Sequence, residues 1–227
     1  MADTASDLAM VHIIDDDESL RCALERMFRS VSLEARAYPT ARAFLDAPLP
    51  DLPGCLILDV RLPGINGLDL QSQLAEMGIQ LPVVLITGHG DIPMSVRAMK
   101  AGAVDFLPKP FRDQDMLDAV AAAIDRDRKR RAAAGDTVRV RDRFATLSPR
   151  ERQVMMLVTT GKLNKQVAAD LCLSEVTVKI HRGAAMRKMG ARSYADLVRM
   201  ADLLRASLTP QPSLTPEYYS GPSGIMR

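Results

Sequence analysis

Cys55-Leu56-Ile57-Leu58-Asp59 is an apolar run that ends on a carboxylate, with Pro53-Gly54 before it and Pro63-Gly64 after it. Proline and glycine pairs punctuate turns, so the run reads as a short buried strand bounded by loops. Working outward, the pattern recurs at 8–14, 34–38, 82–87 and 103–107, the last closed by Pro108. Helical patterns fall between these segments, over about 18–30, 40–47, 66–76, 94–101 and 114–126. Five strand and helix units in alternation predict an α/β domain over 8–124, built as a doubly wound, five-stranded parallel sheet.

In such an open sheet, ligands bind at the carboxyl ends of the strands. Asp15 and Asp16 follow the first strand and Asp59 ends the third, while Thr87 ends the fourth and Lys109 the fifth. Three converging carboxylates repel one another unless a cation joins them, and an all-oxygen set suits Mg²⁺. A hydroxyl and an ammonium group suit phosphoryl oxygens, and a carboxylate can attack phosphorus to give an acyl phosphate, which makes Asp59 the candidate nucleophile. Any one of these aspartates alone reads as a helix cap or turn residue. Five polar positions agreeing together do not.

Charge is unevenly spread. Residues 8–124 carry 10 basic and 16 acidic side chains, whereas 144–205 carry 11 and 5, and the intervening 125–143 carries 8 and 4. An acidic site followed by a nucleic-acid-facing module fits that split. Cys22, Cys55 and Cys172 are odd in number and widely spaced, as expected of reduced cytosolic thiols, and no apolar run is long enough to span a bilayer. The expected location is cytoplasmic, with no membrane partner.

Residues 125–143 form a charged linker, expected to prolong the preceding helix and break near Gly135. Ser148-Pro149-Arg150-Glu151 is a capping box with proline at the first helical position. It opens an all-α domain over 144–205, with four helices at 148–160, 163–171, 174–189 and 193–204. The turn at Cys172-Leu173 joins the second and third as a helix-turn-helix, with Ser174 as N-cap. Val178, Ala185 and Met189 recur at near-helical spacing and are expected in the core. Ile180 lies about 200° from Val178 and is expected at the surface, placed for a thymine methyl. Lys179 and Arg182 suit bases or phosphates, and Gly183 permits close backbone approach. His181 reads equally as a packing residue or a phosphate contact. Residues 206–227, containing Pro210, Pro212, Pro216 and Pro222, are expected to be a disordered tail.

Asp15-Asp16, Asp59, Thr87 and Lys109-Pro110, in this order on strand ends, resemble the receiver domain of bacterial response regulators, which has a flavodoxin-like fold. Leu147-Ser148-Pro149-Arg150-Glu151 and Thr177-Val178-Lys179-Ile180-His181-Arg182 resemble the LuxR-type output domain. Together they resemble the NarL/FixJ family, nearest its FixJ/NodW-like subgroup through runs such as Thr87-Gly88-His89-Gly90-Asp91. The resemblance implies that Asp59 is phosphorylated by a sensor histidine kinase. It also implies Mg²⁺ held by Asp15, Asp16, Asp59 and the Arg61 backbone carbonyl, and a cis Lys109-Pro110 bond. Phe106 is read as a switch residue or as ordinary core. Val96, Lys100 and Asp105 are the expected face of a homodimer formed on phosphorylation. The motif from Asn164 to Gly183, especially Thr177, Lys179, Ile180, His181 and Arg182, is the expected contact with double-stranded DNA. The implied role is a transcription activator working with RNA polymerase, not an enzyme. A haloacid-dehalogenase-like phosphatase is disfavoured, because its second acid would fall where Arg61 stands. DNA binding independent of phosphorylation is the remaining alternative.

Overall fold

A computed structural model describes residues 8–88 and 92–208. The chain divides into two compact units, 1–133 and 134–227. In chain order the first contains β1 (Met10–Ile14), α1 (Glu18–Ser30), β2 (Glu34–Tyr38), α2 (Ala41–Leu45) and β3 (Gly54–Asp59). It continues with β4 (Arg61–Leu62), β5 (Ile65–Asn66), α3 (Gly67–Glu76), β6 (Val83–Thr87), α4 (Ile92–Lys100), β7 (Asp105–Pro108) and α5 (Asp113–Ala145), whose residues beyond 133 belong to the second unit. The main sheet has the order β2-β1-β3-β6-β7, parallel throughout. The five-stranded doubly wound sheet expected from the sequence is therefore present. The two-residue antiparallel pair β4 and β5 was not foreseen.

β3 is central and all six of its residues are buried, which explains why its sequence is apolar without alternation. Val11, Ile13, Cys55, Ile57, Val84 and Ile86 pack with α1 and α5 on one face. Ile14, Leu56, Leu58, Val83 and Leu85 pack with α2, α3 and α4 on the other. The register pairs Ile14 with Leu58, Asp59 with Ile86 and Thr87 with Pro108, so the functional strand ends lie along one edge. Gly67 opens α3 hard against that edge. A Cβ there would lie 2.4 Å from the Asp59 carbonyl oxygen, so only glycine fits.

α5 does not break at Gly135 and runs unbroken to Ala145. Glycine costs only about 1 kcal/mol in a helix. Here it follows three alanines, and the helix carries the pairs Lys129–Asp125, Arg130–Asp127 and Arg139–Asp136 on either side of it. Within the first unit Asp127 is fully buried. It accepts from the Gly54 backbone N–H at 3.1 Å, from Arg130 Nη2 at 2.7 Å and from Arg131 Nε at 2.8 Å. These contacts tie α5 to the start of β3.

The second unit contains α6 (Pro149–Val158), α7 (Asn164–Leu171), α8 (Glu175–Met189) and α9 (Tyr194–Leu208). The capping box forms as predicted: Glu151 N–H donates to Ser148 Oγ at 3.3 Å and Ser148 N–H to Glu151 Oε2 at 2.7 Å. Glu151 also accepts from Lys188 Nζ of α8 at 2.7 Å. Val154, Met155, Val158, Val167, Leu197 and Ala201 form the core with Val140 and Phe144 from the end of α5. α9 extends to Leu208, past the expected start of the tail at 206; the remainder of that segment lies outside the described residues.

Burial alone raises the Asp127 carboxyl, but the Arg130 and Arg131 guanidinium groups and the Gly54 N–H outweigh it and hold it below the ordinary 3.8. Its contribution is therefore fully present above that value and lost as pH falls through the lower folded value. Asp127→Asn is expected to cost about 2 kcal/mol at pH 7. Urea unfolding from pH 7 to pH 2 should show the difference from the wild type closing at the acid end.

Candidate functional site

Asp15, Asp59 and Thr87 are buried at the strand-end edge, with Asp16 exposed beside them. Carboxylate oxygens of Asp15, Asp16 and Asp59 all lie within 4.8 Å of one another. Lys109 enters from the end of β7. Its Nζ lies 2.7 Å from Asp15 Oδ2 and 2.7 Å from Asp59 Oδ2, so one ammonium bridges two buried carboxylates. Its backbone N–H donates to the Thr87 carbonyl at 2.7 Å, and Lys109-Pro110 is cis. Thus the five strand-end residues singled out from the sequence come together.

The remaining oxygens are fixed by backbone. Asp59 Oδ1 accepts from the Arg61 N–H at 3.0 Å, and Asp15 Oδ1 from the Asp17 N–H at 2.9 Å. Arg21, one turn into α1, donates from Nη1 to the Asp15 carbonyl at 2.7 Å. Asp17 also caps α1, accepting from the Ser19 and Leu20 N–H groups. Sequence reading missed Asp17, Arg21 and Gly67. The cap position of Asp17 before a helix was the one available signal.

Burial raises the Asp15 carboxyl above the usual aspartate value, only partly opposed by Lys109 and the Asp17 N–H. For Lys109, burial pulls the ammonium down, but Asp15 and Asp59 outweigh it and hold it above the usual lysine value. The pair is thus a charged lysine serving an acid whose ionisation burial opposes.

Phe106 is half-buried on β7, opposite Leu85, and packs against the α3 and α4 side of the core. Val96 and Lys100 are exposed on α4, while Asp105 is half-buried and accepts from the Phe106 N–H. Of the run beginning at Thr87, His89, Gly90 and Asp91 lie outside the described residues.

In the second unit Ser174 Oγ accepts from the Thr177 N–H at 3.1 Å and starts α8. Cys172 turns the chain at φ 53°, and Gly190 ends the helix at φ 70°. Val178, Ala185 and Met189 are buried, as their spacing predicted, and Ile180 is 62% exposed. Lys179 and Arg187 are exposed; Thr177, His181, Arg182 and Gly183 are half-buried. The Thr177 hydroxyl is engaged with Ser174 Oγ at 2.8 Å, and Arg182 Nη1 donates to Asn164 Oδ1 at 3.3 Å. Val176, not singled out from the sequence, is 68% exposed one turn before Ile180. Val176, Ile180, Gly183 and Arg187 form a stripe along α8 at helical spacing. At Gly183 an added Cβ meets only Arg187 Nη1, at 3.6 Å, so packing within the chain does not demand glycine.

Residues 11–121 match the response regulator receiver domain family, and residues 145–201 match the luxR family of bacterial regulatory proteins. The Nodulation protein W of Bradyrhizobium diazoefficiens is 58% identical over 203 residues, 89% of each chain. The chain is a two-component response regulator. Its output domain places it with the NarL/FixJ type. The response regulator protein TodT of Pseudomonas putida is 46% identical over 208 residues, 92% of this chain and 90% of that one. The solved structure of the response regulator StyR superposes with a TM-score of 0.73 at 44% identity, over 86% of this chain and 98% of StyR. This response regulator is accordingly a DNA-binding transcription factor, and its relatives are regulators, not enzymes. A histidine kinase and DNA are its partner classes. Among the described residues no helix is long and apolar enough to cross a membrane.

Without divalent cations, Lys109→Met leaves Asp15 without its ammonium partner and is expected to cost about 2 kcal/mol at pH 8. A carboxyl raised in the folded state binds more protons there than in the unfolded chain, so stability falls as pH rises through that window. Chemical unfolding should show the deficit shrinking toward pH 4, whereas a deficit independent of pH would contradict the reading.

Proposed function

We propose that Asp59 accepts a phosphoryl group from a sensor histidine kinase. The receiver then dimerises, and paired output domains bind two DNA half-sites to activate transcription with RNA polymerase in the cytoplasm. The observation that carries this reading is Lys109 Nζ, 2.7 Å from both Asp15 and Asp59 beside a third carboxylate.

Asp15, Asp16 and Asp59 supply hard oxygen donors close enough together for Mg²⁺, with the Arg61 carbonyl as a further ligand. Bound there, Mg²⁺ offsets the negative charge that the carboxylates and the phosphoryl oxygens bring together. An Asp59 oxygen attacks phosphorus; the bond from phosphorus to the kinase imidazole nitrogen breaks, and the imidazole keeps the electron pair. Lys109 then passes from the carboxylates to a phosphoryl oxygen, and the Thr87 hydroxyl donates to another. Movement of Thr87 lets Phe106 turn inward and alters the α4 and β7 surface. Ile92, Val96 and Met99 stand exposed at helical spacing on α4, which supports a dimer face including Val96, Lys100 and Asp105.

On DNA, Val176 and Ile180 meet thymine methyl groups, Lys179 and Arg182 meet bases or phosphates, and Gly183 admits close backbone approach. Thr177 holds the start of the helix and His181 borders a phosphate.

Acetyl phosphate with Mg²⁺ is expected to label the wild type on Asp59 and to leave Asp59→Asn unlabelled, as read by acid-labile radiolabel and peptide mapping. Label persisting in Asp59→Asn sinks the assignment. Lys179→Ala is expected to retain labelling while lowering the salt slope of DNA binding by about 1. Gly183→Ala should fold with slightly greater stability, by about 0.5–1 kcal/mol, yet bind DNA at least about tenfold more weakly.

A further inference from the structure

At the end of the sheet opposite the carboxylate pocket, a crevice of about 480 Å³ lies between α3, the turn at 101–102, the start of β6 and α5. That volume falls within the range of small-molecule sites. Leu74, Ile79 and Leu81 give it an apolar side, and Arg126 and Arg130 a basic one. The two arginines are in different states. Arg130 is taken up by Asp127 and by the Gln80 side-chain oxygen at 2.8 Å. Arg126 gives Nη1 to the Gly102 carbonyl at 3.3 Å and has no carboxylate partner among the described residues. An exposed guanidinium therefore stands at the mouth of a partly apolar crevice.

Gln71 forms part of the wall and is only 6% exposed. Its Nε2 donates to the Ala101 carbonyl at 3.0 Å, which fixes the orientation of the amide. Its Oε1 then has no hydrogen-bond partner and is closed off from solvent. Buried acceptors are nearly always paired, and leaving one unpaired is costly. The phosphorylation pocket and the DNA-reading helix make no use of Gln71, Arg126 or this crevice.

We propose that the crevice binds a small organic acid that also carries a hydroxyl group. The carboxylate pairs with Arg126 and the apolar body lies against Leu74 and Leu81. As the ligand seats, a small rotation of the Gln71 side chain opens Oε1 to the crevice, and the ligand hydroxyl supplies its missing donor. Both ends of the ligand are specified: the guanidinium selects an anion, and the lone acceptor selects a donor beside it.

The test uses the full chain, ¹⁵N-labelled, titrated with 3-hydroxybenzoate, benzoate and 3-hydroxybenzyl alcohol. The first is expected to shift the amides of Gln71, Ala101 and Gly102 to saturation with a Kd of about 1 mM or tighter. Benzoate and the alcohol should each bind several-fold more weakly. Arg126→Gln should weaken 3-hydroxybenzoate about tenfold and leave the alcohol unchanged. Gln71→Met, with its fold verified from the same spectra, should remove the preference for 3-hydroxybenzoate over benzoate. Absence of saturating shifts at these amides up to about 10 mM, or equal affinity in Arg126→Gln, overturns the proposal. Neither result bears on phosphorylation, which is read separately at Asp59.

Discussion

One ammonium group shared between two buried carboxylates is the constraint on which the receiver's chemistry depends. Lys109 Nζ is 2.7 Å from an oxygen of Asp15 and from one of Asp59, each on a different strand end. Like charges this close in a poorly solvated site repel strongly, and a cation between them offsets that cost. Burial nevertheless keeps the Asp15 carboxyl above its usual value. Three carboxylates thus share one ammonium, a charge balance that suits a metal ion. The parallel register that builds the sheet also builds this site: Ile14 pairs with Leu58 and Thr87 with Pro108, so Asp15, Asp59 and Lys109, each one residue further along its strand, converge beside Thr87.

Much of this was legible in the sequence because each signal was local. β3 reads as a continuous apolar run because both of its faces are covered, and Asp59 stands out because it ends that run. Val178, Ala185 and Met189 were placed in the core by their spacing, and Ile180 at the surface by its angle from them. Other features depend on contacts that no periodicity encodes. Arg21 acts through the carbonyl of Asp15 six residues earlier, and Gly67 is required by the carbonyl of Asp59 eight residues earlier. Asp127 was read as part of a charged linker, yet it is buried against Gly54. Pro93 concealed the start of α4 at Ile92, although proline fits the first turn of a helix. Gly135 was read as a breaker, but one glycine among alanines and ion pairs does not outweigh the helix around it.

The second unit meets a different demand, which is to hold one helix face outward. The Ser148 and Glu151 box starts α6, and Glu151 reaches across to Lys188 of α8. Arg143, near the end of α5, donates to the Met189 carbonyl at the same C-terminal end of α8 at 3.0 Å. With Val178, Ala185 and Met189 buried, the helix cannot turn without exposing core, so Val176, Lys179, Ile180 and Arg187 stay at the surface. Val176 and Ile180 are thereby exposed on the same helix as the exposed Lys179 and Arg187.

The central claim is that phosphate at Asp59 controls the output helix. The most direct measurement is the affinity of the full chain for a DNA duplex selected from a random pool by the phosphorylated protein, at one fixed salt concentration. It is compared with and without beryllofluoride and Mg²⁺, which mimic the phosphorylated aspartate. The account predicts that affinity rises at least about tenfold with the mimic. Equal affinity in the two states would contradict it and leave the receiver as a platform that does not gate DNA binding.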